Sequence, residues 1–480
     1  MKSRKTVLIS GNFNVLHPGH IRLINFARTI ADEVVVGVFS DDIAGVAVDV
    51  DQNLRMEGVS CLPFVDRVLL IDCEIRDFIG RHKPDFIVKG KEYENQLNVE
   101  VEVLEAYGGQ LIFNSGENSI SYDNHHSQKK LNISRERFNE LEEFMSKHHF
   151  NRSDLRQIIY QFSSKKVCVV GDVIVDEYID CLPLGMSQEE PTVVVSPKKK
   201  ERFIGGAGIV ASHAAQLGAS VNLISVTGRD EARDFVATAL EEYGVNYKLL
   251  IDIARPTTVK QRFRSESRSL LKVSNLSQKA ISNKQQDIML EKFEEIATEL
   301  DLLIFSDFSY GALPQRLVDA IVVVAKQNNV LISADSQTSS QTGDISRFRG
   351  ANLVTPTELE ARVALKNQDD GIVVLADKLM KKMSADNIIL KLGPEGFIAQ
   401  IAAGFNLIPH TERLTALNTN PLDVSGAGDS LLTAASLAMA CGATLWQASV
   451  LGNVAAFIQV GRVGNTPINA EALRVSLGLT

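Results

Sequence analysis

Two turns in this chain place glycine beside side chains that can hold a phosphate or move a proton. The first is Gly11-Asn12-Phe13-Asn14-Val15-Leu16-His17-Pro18-Gly19-His20, which follows the apolar run Val7–Ser10 and precedes the helical pattern IRLINFARTIADE. A glycine turn between strand and helix gathers free backbone N–H groups and a helix N-terminus at one point, which attracts phosphate. His17 and His20 would add donors there and stabilise charge developing on a transferring phosphoryl group. The plainer reading is a strand–helix turn that happens to carry histidines. The second turn is Asp423-Val424-Ser425-Gly426-Ala427-Gly428-Asp429, followed by the apolar run SLLTAASLAMA. Gly426, Ala427 and Gly428 would expose amides at a helix start as an anion hole, and Asp429 could take a proton from an attacking hydroxyl. Here the plainer reading is a glycine-rich helix start with a capping aspartate.

The elements that must position these turns are legible as alternating apolar runs and helical patterns. Val7–Ser10, Glu33–Phe39, Arg67–Ile71 and Asp85–Val88 have strand length in the first part of the chain. Val167–Val170, Val221–Val226, Leu302–Phe305, Val330–Ala334 and Asn387–Leu390 have it in the second. Short β-rich runs separated by ten or more helical residues predict an α/β protein with parallel sheets. Between the two parts, Ser127–Lys166 is polar and charged. Phe138, Leu141, Phe144 and Met145 recur there at helical spacing, which predicts an amphipathic helix in an inter-domain connection. The expected division is 1–127, a helical linker 128–163, and 164–480. With a core in each domain, a chain beginning near Ser164 is expected to fold alone.

At 480 residues, two or three domains are expected. A net charge of −9 disfavours general binding to nucleic acid or anionic membranes. Five scattered cysteines without a CxxC pair fit free thiols in a reducing compartment rather than disulfides or a zinc site. With no signal-like leader and no apolar run of about 18 residues, a cytoplasmic protein is expected. No G-x-x-x-x-G-K-[ST] occurs, which excludes a P-loop.

The HxGH turn is similar to that of the cytidylyltransferase-like superfamily, over about residues 5–125. The resemblance implies a Rossmann-like nucleotidyltransferase domain, with His17 and His20 catalytic and Gly11, Asn12, Phe13 and Asn14 at the nucleotide. DQNLRMEGVSCLPFVD resembles the family's segment around an arginine, here Arg55. DFIVKGKEY resembles the VKGxDY stretch of heptose-phosphate adenylyltransferases, which implies Lys89 and Gly90 beside the nucleotide or sugar phosphate. GENSISYDNHHS loosely resembles a nucleotide motif through Ser119 and Ser121. Two departures stand out: Asn14 replaces the usual Asp, and no lysine lies between Asp41 and Arg55.

The second turn resembles the D-T-x-G-A-G-D signature of the ribokinase-like (PfkB) family, over about residues 165–478. That implies a sugar kinase with a small β lid around Leu182–Arg202 and Thr257–Val273. Asp429 would be its base, and Asp172, Asp176, Gly205, Gly206 and Asp423 would lie at the sugar. Turn or capping aspartates remain the alternative for Asp172 and Asp176. Thr355-Pro356-Thr357-Glu358-Leu359-Glu360 resembles the family's magnesium motif through Glu360, which a solvated helix face would also explain. Lys391, Gly393 and Gly396 resemble its phosphate-side turn. Asn453 falls where the family closes the adenine pocket, or is simply a polar helix residue.

Together the two halves resemble the bifunctional heptose-7-phosphate kinase/heptose-1-phosphate adenylyltransferase family, supported by FSDFSYGAL and RFRGANLVTPTELE. The domain order is reversed relative to that family. Ser336-Gln337 also stands where its members carry Pro-Lys after the aspartate. The implied activity is phosphorylation of a sugar phosphate at its anomeric hydroxyl, then coupling to a nucleotide for cell-surface glycan synthesis. The implied cofactors are ATP, Mg2+ and a monovalent cation such as K+, with ATP or CTP for the transfer. The implied partners are small molecules and a second copy of the chain. Two alternatives stay open: a kinase whose first domain is an inactive, regulatory nucleotide binder, and a non-enzymatic sugar sensor.

Overall fold

Alternating apolar side chains build the sheets of this protein. The computed structural model describes residues 5–14, 18–44, 50–60, 62, 64–90, 98–114, 135–187, 192–265, 268–337, 343–402, 410–418 and 421–479. His17, Ser119 and Ser121 lie outside the described residues. The chain divides into two units, Met1–Gln128 and Lys129–Thr480.

The first unit holds a five-stranded parallel sheet of β1 (Thr6–Gly11), β2 (Glu33–Phe39), β3 (Arg67–Ile71), β4 (Phe86–Gly90) and β5 (Gln110–Asn114). Its strand order is β3-β2-β1-β4-β5. Successive side chains of a strand point to opposite faces. Val7 and Ile9 accordingly enter one core cluster and Leu8 another. The order reverses between β1 and β4, and ligands of open α/β sheets bind at the carboxyl ends of strands at such a switch point. Asn12, Phe13 and Asn14 leave β1 there.

The second unit has a nine-stranded sheet. Its strands are β6 (Lys166–Gly171), β9 (Ser220–Thr227), β10 (Asn246–Ile251), β13 (Leu302–Asp307), β14 (Leu331–Ser336), β15 (Leu353–Val354), β16 (Asn387–Lys391), β17 (Phe397–Ile401) and β18 (His410–Leu414). The order is β10-β9-β6-β13-β14-β15-β16-β17-β18. Pairing is parallel as far as β16 and antiparallel from β16 to β18. Val167 and Val169 of β6 enter one core while Cys168 and Val170 enter the other, as a sheet covered on both faces requires. A separate four-stranded sheet, ordered β12-β11-β7-β8, consists of β7 (Val173–Met186), β8 (Val193–Gly206), β11 (Thr258–Ser265) and β12 (Arg268–Asn275). This is the expected lid.

The helix Ala427–Ala440 is buried from Asp429 to Ala438. A helix apolar on every side belongs in a core. It packs against the helices Ala207–Gln216 and Leu445–Val460.

The segment expected to join two domains is part of the second unit. Its helices Arg135–Lys147 and Arg152–Gln161 bury Leu141, Phe144, Met145, Leu155 and Ile159 in the same cluster as Val167 and Leu432. An apolar face at helical spacing has to be covered, and here the core of the second unit covers it. No helix among the described residues is long and apolar enough to cross a membrane, and Cys73, Cys168, Cys181 and Cys441 are free thiols.

Candidate functional site

In the second unit a cavity of ≈ 840 Å³ gathers residues from the lid, the edge of the large sheet and the start of the helix Ala427–Ala440. Gly426 caps that helix with φ 77, and a Cβ there would lie 2.1 Å from Asn465 Oδ1. A Cβ on Gly428 would meet Lys391 Nζ at 3.0 Å. Glycine therefore lets a lysine ammonium approach the amides of the first helical turn, which lack intrahelical acceptors. Gly426, Ala427 and Gly428 all line the cavity beside Asp429.

Asp429 is 5% exposed and accepts a hydrogen bond from Gln337 Nε2 at 2.9 Å. Burial, reinforced by the charge of Asp335, pushes its carboxyl up to about 7, against the pull of Lys391. That value suits a group that must accept a proton near neutrality. Lys391 Nζ donates to both oxygens of Asp335 at 3.1 Å. Burial works against its charge, but Asp335 and Glu360 outweigh it and hold the ammonium above its usual range. Fixed cations and amides at one point can stabilise a transferring phosphoryl group.

The lid supplies the other wall. β11 runs parallel to β7 with Lys260 opposite Asp176, and Arg262 lies two residues on, on the same face. Arg262 donates to Ser425 Oγ at 2.6 Å, and its guanidinium lies 3.8 Å from Asp176 Oδ1. Burial raises the Asp176 carboxyl, with Arg262 and Lys260 opposing. Asp176 Oδ1 and Asn465 Oδ1 are buried without a hydrogen-bond partner, although both residues line the cavity. Buried acceptors left open are costly, and hydroxyl donors of a polyol would satisfy them. Gly206 lines the same region, and Gly205 lies so close that a Cβ would sit 2.5 Å from Asp176 Oδ2.

Not every expected residue reaches the cavity. Asp172 accepts hydrogen bonds from the backbone amides of Phe308, Tyr310 and Ala312 at 2.9, 3.2 and 3.1 Å, which occupies both its oxygens. It holds the loop after β13 rather than a ligand. Asp423 accepts from Ser425 N (3.0 Å), Gly464 N (3.1 Å) and the Tyr178 hydroxyl (2.7 Å), so it ties the lid strand β7 to the glycine turn. Glu360 does line the cavity, but its Oε2 accepts from Thr357 N at 2.7 Å as half of a capping box.

Magnesium in phosphoryl-transfer sites takes one or two carboxylates plus substrate phosphates. Glu360, with Asp335 near enough to feel its charge, fits an ion of that kind. No group of three or more His, Cys, Asp or Glu among the described residues forms a metal cage. Gly393 and Gly396 bracket a short turn between β16 and β17 and line the cavity, as does Asn453, whose Nδ2 donates to Thr415 O at 2.9 Å.

In the first unit, Gly11 ends β1 and Asn12, Phe13 and Asn14 follow it with His20 beside Phe13, and Lys89 and Gly90 end the neighbouring β4. Phe13 is buried at φ 50 and packs on the His20 ring at 4.8 Å. Two expected nucleotide contacts are engaged elsewhere. The Arg55 side chain is 0% exposed and donates to Val50 O, Asn12 O and Asp41, clamping the loop from inside. Lys89 forms an ion pair with Glu100 at 2.8 Å. Asn14 Oδ1 accepts from Val50 N, so the residue that replaces the usual Asp here joins the same two loops.

Lys260, Arg262, Gln337 and Asn465 are among the cavity-lining residues that sequence reading missed, and so is Asp335, which pairs with the cavity residue Lys391. The period-two basic face of TVKQRFRS was a usable signal for the first two. The departure from Pro-Lys at Ser336-Gln337 marked the third.

The cytidylyltransferase-like family profile matches residues 8–114. The chain is 32% identical to "Bifunctional protein HldE" of Desulfatibacillum aliphaticivorans over 66% of this chain, and 31% identical to that of Nitratiruptor sp. over 64%. It spans 64% of the length of each of these curated relatives. Two solved structures share the fold of the second unit. One is phosphofructokinase-2 from Escherichia coli in complex with substrates and products (TM-score 0.54, 16% identity, 65% of this chain and 98% of that one). The other is Arabidopsis thaliana ribokinase with ribose and ATP (TM-score 0.52, 18% identity, 66% and 99%). A profile for pfkB family carbohydrate kinases matches residues 164–472, the region that carries the glycine turn, Asp429 and the lid. The chain belongs to the pfkB family of carbohydrate kinases.

Proposed function

We propose that the second unit phosphorylates a sugar with ATP, with Asp429 as the general base. The observation that carries this is a buried carboxyl near neutral pKa in the helix turn whose amides and Lys391 form the anion site. In the proposed reaction, Asp429 accepts the proton of the sugar hydroxyl as its oxygen attacks the γ-phosphorus. ADP leaves, while Gly426–Gly428 and Lys391 balance the charge of the transferring group. Magnesium entering with ATP would be held by Glu360, with Asp335 beside it, and would neutralise phosphate charge. Asp176, Asn465 and Gly206 would hold sugar hydroxyls. Lys260 and Arg262 suit an anionic substituent on the same sugar, which supports a sugar phosphate, and with the resemblance a heptose phosphate phosphorylated at its anomeric hydroxyl.

The first unit would join a sugar 1-phosphate to a nucleotide at the HxGH turn in the cytoplasm, a phosphate oxygen of the sugar attacking the α-phosphorus of the nucleoside triphosphate and pyrophosphate leaving. Where the kinase substrate is itself a sugar phosphate, a phosphatase must remove its original phosphate between the two steps. A second reading, a regulatory nucleotide-binding unit without transfer activity, is favoured by Arg55 and Lys89 being engaged internally. One experiment separates the two. The full chain is incubated with candidate sugar phosphates, Mg2+, K+ and ATP or CTP, and the products are resolved by mass. A nucleotide sugar, formed from the sugar phosphate or from the corresponding sugar 1-phosphate supplied directly, supports the first reading, and a sugar bisphosphate with no nucleotide sugar from either substrate supports the second. If the nucleotide sugar forms, His20→Ala should lower its formation roughly 10²-fold, by loss of a donor to the developing charge, without slowing sugar phosphorylation.

A further inference from the structure

The kinase cavity has a contributor that lies outside the matched kinase region. Arg137, on the helix Arg135–Lys147, lines the cavity together with Asn453. The pfkB match begins only at residue 164. A chain of side-chain contacts fixes the guanidinium in place. Arg137 Nη1 donates to both carboxylate oxygens of Glu140, at 3.0 and 2.8 Å. The Thr415 hydroxyl donates to Glu140 Oε2, and Thr415 O accepts from Asn453 Nδ2 at 2.9 Å. Those bonds, the one from Thr415 first and Arg137 next, hold the Glu140 carboxyl below its usual range, so it stays ionised and keeps its partner aligned.

The surroundings indicate what the guanidinium meets. Phe397, Leu417 and Phe457 line the same cavity with Pro394 and Ala456, an apolar surface contributed by β17, the residues after β18, and the helix Leu445–Val460. The anion site, by contrast, is built from Lys391 and the glycine turn. A purine nucleotide has the matching division, with an anionic phosphate chain and a flat, weakly polar base. Guanidinium groups stack on aromatic faces and donate in plane to ring acceptors, which an ammonium does not do as well.

We propose that Arg137 contacts the purine base of the phosphoryl donor, so that the helix Arg135–Lys147 completes the nucleotide subsite of the kinase. This rests on the kinase reading above and adds a residue that determines nucleotide specificity. A positioning role limited to this helix would leave nucleotide affinity untouched.

The test uses the full chain with ATP, GTP and CTP as phosphoryl donors. Arg137→Ala should raise KM for ATP about 5- to 30-fold and shrink the preference for purine over pyrimidine donors, while KM for the sugar stays within about twofold. Arg137→Lys should fall between the two, having charge without the plane. Calorimetric titration of a non-hydrolysable ATP analogue, without sugar, should weaken by the same factor. Arg137→Met keeps the apolar stem and the helix propensity, and serves if the alanine variant folds poorly. An unchanged KM for ATP in a folded Arg137→Ala or Arg137→Met protein overturns this inference and leaves the kinase reading intact. Failure of the wild-type chain to phosphorylate any sugar overturns the kinase reading itself, a distinct result.

Discussion

Asp429 shows how burial and charge tune a single group. Replacing it with Asn keeps its size and removes its ability to accept a proton, so kcat for sugar phosphorylation should fall roughly 10²–10⁴-fold with little change in substrate binding. Steady-state kinetics at saturating sugar and ATP measure this, and a near-normal kcat would contradict the role. A base works only when ionised. With its carboxyl near 7, kcat/KM should climb as pH rises to about 7 and level off above it. Lys391 favours the charged form, so Lys391→Met should move this acidic limb to higher pH as well as slow the reaction. A limb left in place would mean that the ammonium does not act on Asp429. Asp172 shows the limit of reading single residues. An aspartate immediately after a strand can hold a ligand or a loop, and this one binds the nearby amides of Phe308, Tyr310 and Ala312.

Among the elements, the helices Arg135–Lys147 and Arg152–Gln161 change where the kinase begins. Beginning the chain at Ser164 would remove Leu141, Phe144, Met145, Leu155, Ile159 and Phe162 from the core. Each such side chain contributes about 1.5–3 kcal/mol by burial, and whole domains are stable by only about 5–15 kcal/mol. A chain starting at Ser164 should therefore be insoluble or unfolded, whereas one starting at Lys129 should melt cooperatively. Circular dichroism melts of the two distinguish these outcomes, and a cooperative melt of the shorter chain would show the helices to be dispensable. An amphipathic helix reads as a linker in sequence because its own residues do not show what covers its apolar face.

Over the whole molecule, a buried histidine couples folding to pH. His213 is fully buried, its Nδ1 accepts from Ile468 N at 3.0 Å, and burial lowers its pKa to about 3. The neutral ring is thus the folded form, while the unfolded chain takes up a proton near pH 6.5. Stability from this group is complete above about pH 6.5. It is lost at up to about 1.4 kcal/mol per pH unit as pH falls toward about 3. Urea midpoints measured between pH 7.5 and pH 4.5, values chosen to span about half of that interval, should fall more steeply for wild type than for His213→Gln, which keeps an acceptor but does not titrate. Equal slopes would assign the acid loss to other groups.

What the sequence determined by itself was local. The parallel α/β architecture follows from strand-length apolar runs between helical patterns. The anion site follows from glycines immediately before an apolar helix, because a helix N-terminus and its flanking turn are built from consecutive residues. Asp429 was legible for the same reason. The tertiary structure alone decided which distant side chains meet it. Gln337 comes 92 positions before Asp429, Lys260 is brought in by a lid strand, and Arg137 arrives on a helix that precedes the matched kinase region. It also decided that Asp423, Asp172 and Arg55 serve the scaffold. Many of the donors and acceptors that bind them come from remote segments, and Asp172 and Arg55 are buried, where polar groups must find partners within the protein.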